Sequence, residues 1–101
     1  MRDVHIMDIA MNLARICNWA ADDFDGKQKR IHQFLEQTNA YIKTLPMSSY
    51  PSLIQRTFAR FIPVFSVLRT QLPRTTDERL HWAEAMLTWS NILTHRASLI
   101  Q

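Results

Sequence analysis

The 101-residue chain contains a single glycine, Gly26, and a single cysteine, Cys17. β-Hairpins draw on glycine, asparagine or aspartate for the positive φ angles of their turns, and no Asn-Gly or Asp-Gly pair here joins two alternating apolar runs. One cysteine excludes an internal disulfide and a zinc site built on cysteines. One glycine excludes glycine-rich phosphate-binding loops and the nucleophile elbow of hydrolases. These absences favour an all-α protein without a recognised catalytic motif.

Long apolar runs are also missing. No run approaches the ~18 residues that a helix needs to span a bilayer, and the acids Asp3 and Asp8 stand where a signal peptide would carry basic residues. We therefore expect a soluble, cytoplasmic protein. Apolar residues still make up 47% of the chain, which is enough for one domain over residues 1–101 to bury a core.

Four segments have apolar residues at spacings of three and four, which is typical of amphipathic helices. The predicted helices are 3–21 with Asp3 as N-cap, 27–45, 52–71, and about 24 residues that begin after Thr75. Cys17 falls on the apolar stripe of the first helix, which predicts a buried thiol. The short connections place successive helices antiparallel, so we predict an up-down four-helix bundle.

The third and fourth helices carry further signals. Pro63 lies inside the third helix, so we expect this helix to be kinked or broken there. Thr75 and Glu78 have the spacing of a capping box at the start of the fourth helix. The fourth helix has two apolar stripes, the second formed by Leu80, Ala83 and Leu87. Two stripes indicate two neighbours, so we expect the third and fourth helices to be the most enclosed.

The histidines give weak chemical signals. Glu78 and His81 form one Glu-x-x-His motif, whereas di-metal helical bundles need two copies and two further glutamates. We therefore predict no metal and no cofactor. Arg74 and His81 are separated by six residues, a spacing that resembles the R-x4-6-H motif of helical HEPN-type ribonucleases. This resemblance implies a small helical ribonuclease as a remote alternative; otherwise we expect a protein that is not an enzyme.

Acidic residues are almost absent from residues 27–74. This segment has eight basic side chains and one acid, Glu36, a net charge of +7, whereas the rest of the chain has four arginines and eight acids, a net −4. The modest overall charge of +3 therefore conceals a segregation that favours an acidic partner.

Within this segment, Arg56 and Arg60 are four residues apart and share one helix face with Val64 and Val67. That face also contains Pro63 and lies away from the phenylalanines of the third helix. Two interpretations are open. The face either packs against a second helix with the arginines at its edge, or contacts a partner, since arginine beside apolar groups is typical of interface hot spots.

Two further features are candidates for partner binding. Lys27, Lys29 and Arg30 cluster at the start of the second helix, where the helix dipole disfavours cations, so they are either solvated or used in binding. Trp19 falls opposite the apolar stripe of the first helix. It is either an exposed anchor for a partner or oligomer, or a ring folded over the helix surface or stacked on Arg15.

Together these patterns predict a non-enzymatic interaction, regulatory or assembly protein that docks on a protein partner or on itself. The alternative is a nucleic-acid-binding protein, or a subunit of a nucleic-acid-associated complex, whose basic segment contacts phosphates. No helix-turn-helix signature is recognisable in the sequence.

Overall fold

The computed structural model describes residues 4–100. Within them it has α1 Val4–Asp23, α2 Gln28–Lys43, α3 Ser52–Thr70 and α4 Thr76–Ser98, with a short 3-10 turn at Met47–Ser49 and no strand. The predicted helix boundaries agree with these to within about two residues. The predicted cap Asp3 lies outside the described residues. The helices form a bundle that measures 39 × 22 × 20 Å.

Hydrogen bonds from side chains join each helix to the next one along the chain. These bonds are Asn12 Nδ2 to Gln37 Oε1 (3.0 Å), Arg69 Nη1 to Glu36 Oε2 (3.0 Å), Trp82 Nε1 to Leu68 O (2.9 Å) and Ser90 Oγ to Ala10 O (2.7 Å). The last bond joins α1 to α4 and closes the bundle. The predicted up-down four-helix bundle is confirmed.

The most enclosed helix is α1, which corrects the expectation for the third and fourth helices. It lies against both α2 and α4. Small residues such as Ala10 and Ser90 let the α1 and α4 backbones approach closely. The predicted second stripe of α4 fails because only Ala83 is buried, whereas Leu80 and Leu87 are 57% and 44% exposed.

The buried side of α1 includes the predicted Cys17, and burial raises the pKa of its thiol. Asn12, which the sequence pattern places on the polar side, is also buried. Its side-chain amide donates to Gln37 on α2. A helix with neighbours on two sides has a wider buried surface than one apolar stripe predicts.

Three phenylalanines of α3, namely Phe58, Phe61 and Phe65, lie in the centre of the bundle and are almost fully buried. The helix runs without interruption from Ser52 to Thr70 through Pro63. The predicted break into two helices is therefore wrong, and a bend at Pro63 stays a prediction. Pro63 itself is exposed, so its ring is not part of the core.

The turn between α1 and α2 is anchored by Phe24, which is buried. Its ring packs edge-on against Trp82 at 5.8 Å between centroids, and the Arg79 guanidinium lies 4.9 Å from the ring centroid. Arg79 also pairs with Asp25 at 3.0 Å. The turn is thus a packed connection to α4, although its composition indicates a solvated loop.

The capping box at the start of α4 is confirmed. The Thr75 hydroxyl accepts from the Glu78 backbone N–H at 3.1 Å, and Glu78 Oε2 accepts from the Thr75 N–H at 3.0 Å. Glu78 Oε2 also accepts from the N–H of Arg74 at 3.1 Å. These bonds satisfy backbone donors that the first turn of a helix leaves without partners.

Candidate binding groove between the third and fourth helices

Arg56 and Arg60 line a groove of about 490 Å³ between α3 and α4. Its walls include Leu53 of α3, which is 41% exposed, and it contains a third guanidinium, that of Arg96 from α4. We call this surface the basic groove, and its principal residues are Leu53, Arg56, Arg60, Trp89, Ile92 and Arg96. It combines three cations with apolar walls, and no carboxylate lines it.

The side chain of Arg96 is held in place by Thr57 and His95. Its Nε donates to Thr57 Oγ1 at 3.1 Å, and its Nη1 lies 3.0 Å from Nδ1 of His95. Thr57 is buried and its hydroxyl donates to the carbonyl of Leu53 at 2.8 Å. The Arg96 guanidinium is thus fixed at the groove before any ligand arrives.

Arg96 also differs from the other half-buried arginines of residues 4–100. Arg69 pairs with Glu36 and Arg79 pairs with Asp25, each at 3.0 Å, whereas Arg96 has no carboxylate partner among the described residues. Removing a cation from water without a counter-charge is unfavourable. The groove is therefore an electropositive site suited to a carboxylate or another anion.

Pro63, Val64 and Val67 continue the exposed face of α3 beyond the groove. Val64 is 38% exposed and Val67 is 51% exposed. The expectation that this face packs against a second helix is therefore wrong for the valines. On the side of Arg56 and Arg60, α4 forms the opposite wall of the groove.

Trp19 is half-buried, so of its two interpretations the fully exposed ring is wrong. Its ring packs edge-on against Phe34 of α2 at 4.9 Å between centroids, and the Arg30 guanidinium lies 6.0 Å from the Trp19 centroid. Arg15 lies over Phe34 at 5.9 Å rather than over Trp19. Trp19 is partly covered for the same reason as Asn12, because α2 covers this side of α1. An anchoring role for Trp19 stays a prediction.

The predicted cluster at the start of α2 is divided by the structure. Arg30 lies over Trp19 on α1, so these two candidates, predicted separately, belong to one surface. Lys29 is exposed. Lys27 occupies the N-cap position without a side-chain capping bond. The structure therefore gives Arg30 a packing role and leaves a binding role of Lys27 and Lys29 as a prediction.

A second groove of about 660 Å³ lies at the turn between α3 and α4, and both Arg74 and His81 line it together with Glu78 and Trp82. The His81 side chain is 80% exposed, and its Nδ1 is 3.8 Å from Glu84 Oε2. Glu78 is engaged in the capping box, and the backbone hydrogen bonds from Arg74 and Thr75 lower its pKa.

Arg96 is the charged residue of the groove that sequence reasoning missed. At about 100° per residue, Arg96 shares one side of α4 with Trp89, so periodicity indicates its direction. The missing information is that α3 lies across this side, since Arg96 is far from Arg56 in sequence. A helical wheel drawn for one helix contains no such pairing.

Among residues 4–100, no three His, Cys, Asp or Glu side chains converge in the manner of a metal site, and no helix is both long and apolar enough to cross a membrane. Compared with known protein families, curated protein sequences and solved structures, the chain matches none of them.

Proposed function

We propose that this protein is a non-enzymatic interaction module that docks on a macromolecular partner, or on a second copy of itself, through the basic groove and the adjoining face of α3. The observation that carries the proposal is the half-buried guanidinium of Arg96, which has no carboxylate partner within the described chain and lies in one groove with Arg56 and Arg60. A cytoplasmic location is part of the proposal.

The chemistry of the groove supports docking on an acidic and partly apolar surface. A partner carboxylate gains charge-assisted hydrogen bonds from a guanidinium that is already positioned. Apolar partner side chains can cover Leu53 and Ile92, which line the same groove. Arginines beside apolar groups are the residues on which interface affinity commonly depends.

The test is a double charge reversal in the groove, Arg56→Glu with Arg60→Glu, compared with a control reversal outside it, Lys43→Glu with Arg74→Glu. All four residues are exposed, and the two variants change the net charge equally. Each is used as bait in quantitative affinity capture from the native cell, after circular dichroism has established that the helices are retained. We expect the groove variant to lose the partners of the wild type by at least about tenfold, while the control variant keeps them.

The same two variants distinguish docking through the basic groove from the nucleic-acid alternative. Phosphate binding depends on the number of cations in reach, so nucleic acid bound through the whole basic segment is lost similarly in both variants. Equal loss therefore contradicts docking in the groove. The remote ribonuclease alternative has its own test, since RNA hydrolysis that is abolished by His81→Ala would support it.

A further inference from the structure

A second unpartnered face lies on α4 and has the opposite charge. We call it the acidic strip; it consists of Asp77, Leu80, Glu84 and Leu87. All four residues are exposed, and their spacings of three and four place them on one side of the helix. Nδ1 of His81 lies 3.8 Å from Oε2 of Glu84. No lysine or arginine belongs to this strip.

The acidic strip and the basic groove both combine apolar with charged side chains, but their charges have opposite signs. Each exposes leucine beside charged residues, and α3 contains no acid. Leu80 and Leu87 are seven residues apart, about 10.5 Å along the helix axis. Leu53 and Arg60 have the same separation on α3.

One molecule cannot bring these two faces together. At about 100° per residue, the centre of the acidic strip lies about 150° around α4 from the centre of Trp89 and Arg96, which line the groove. The basic groove of one molecule can contact only the strip of another.

Other acidic regions of the chain are poorer occupants of the groove. Asp25 is paired with Arg79, Glu36 with Arg69, and Glu78 caps α4. The apolar residue of the acidic turn, Phe24, is buried. Asp8 of α1 is exposed beside Val4 and Met11 but is a single carboxylate. Among the described residues, the acidic strip is therefore the face that combines two exposed carboxylates with exposed leucines.

We infer that the partner of the basic groove is the acidic strip of a second copy of this chain. This inference rests on the proposed function and names its partner. Because the two surfaces lie on different sides of α4, one contact leaves a free groove on one copy and a free strip on the other. The contact therefore repeats from copy to copy and produces a chain or a ring rather than a two-fold dimer.

The first measurement is sedimentation velocity of the wild type from about 1 μM to about 1 mM, a range that covers weak specific dissociation constants. We expect mass to rise with concentration beyond a dimer. We also expect association to weaken at about 1 M salt, where the Debye length is about 3 Å.

The decisive measurement uses two variants that each lose one face. Arg56→Glu with Arg60→Glu removes the basic groove, and Glu84→Lys with Leu87→Lys removes the acidic strip without altering the cap of α4. Each is expected to be monomeric alone. An equimolar mixture is expected to associate, because each variant keeps the face that the other lacks. The control Lys43→Glu with Arg74→Glu is expected to associate like the wild type.

Two results overturn the inference: a wild type that stays monomeric at every concentration, or variants that associate as the wild type does. If the wild type is monomeric but Arg56→Glu with Arg60→Glu still loses captured partners, the proposed docking function stands and only the choice of partner is wrong. If that variant also keeps those partners, both the function and the inference are wrong.

Discussion

Trp19 stabilises the contact between α1 and α2. Its ring meets Phe34 edge-on at 4.9 Å and lies beneath Arg30. We expect Trp19→Ala to lower the free energy of unfolding by about 2 kcal/mol, because a half-buried aromatic pair and its buried area are lost. Urea denaturation followed by circular dichroism measures this change.

Two controls test the cause of that loss. Trp19→Phe keeps a ring against Phe34 and should lose clearly less stability. Met11→Ala removes an exposed side chain from the same helix and should change the free energy of unfolding by less than about 0.5 kcal/mol. An alanine variant with unchanged stability but reduced mass in solution would instead assign Trp19 to an interface.

At the scale of a single helix, the start of α4 is set by a charged cap. Hydrogen bonds from the Arg74 and Thr75 backbone lower the pKa of Glu78 below its ordinary value of 4.5. The native state thus favours the ionised carboxylate, so the charge of Glu78 contributes stability above the unfolded-state pKa. That contribution is lost as the pH falls from about 4.5 through the lowered folded-state pKa.

We therefore expect wild type and Glu78→Gln to differ in stability near neutral pH and to converge in acid. Glutamine retains an acceptor for the cap but carries no charge. Chemical denaturation of both proteins across the acidic range measures the difference. Thr75→Ala is the comparison, since losing the hydroxyl of an N-cap costs about 1 kcal/mol, with no carboxylate removed. A constant difference between wild type and Glu78→Gln at all pH values would contradict this account.

The local apolar pattern of the sequence predicts the four helices, but it predicts their arrangement in the bundle only in part. The periodicity of Phe58, Phe61 and Phe65 predicts the buried side of α3 correctly, and the Thr75–Glu78 spacing predicts the cap. These features depend on residues within one or two turns. The exposure of Leu87 and the burial of Asn12 depend on which helices lie alongside, and no single helix contains that information.

The basic groove likewise contains residues that local spacing predicts and a residue that only the packing of two helices brings to them. Arg56 and Arg60 could be assigned to one exposed face from their spacing alone. Arg96 joins them only because α3 and α4 are antiparallel and Thr57 accepts its hydrogen bond. Pro63 also shows that local sequence is not sufficient to predict a helix end. Proline lowers helix propensity, but the packed phenylalanines keep α3 continuous through it.

At the scale of the whole molecule, the fold separates basic residues that lie in one block of the sequence. In sequence, residues 27–74 form one basic block. In the bundle, Arg69 is paired with Glu36 and Arg30 lies over Trp19, whereas Arg56, Arg60 and Arg96 meet at one groove. The positive charge is thus divided among several sides of the molecule rather than forming a continuous track for a nucleic-acid backbone.

We accordingly expect no measurable binding to generic double-stranded DNA or single-stranded RNA at physiological salt. Binding of this type scales with the number of phosphates neutralised together, and affinity falls steeply as salt rises. Fluorescence anisotropy of labelled oligonucleotides, titrated at salt concentrations from about 50 mM to about 200 mM, measures this. The two charge-reversal variants, Arg56→Glu with Arg60→Glu and Lys43→Glu with Arg74→Glu, serve as the controls. Tight binding that falls steeply with salt and is weakened equally by both variants would show that the basic segment binds phosphates. It would contradict the proposal that the groove is the main binding surface.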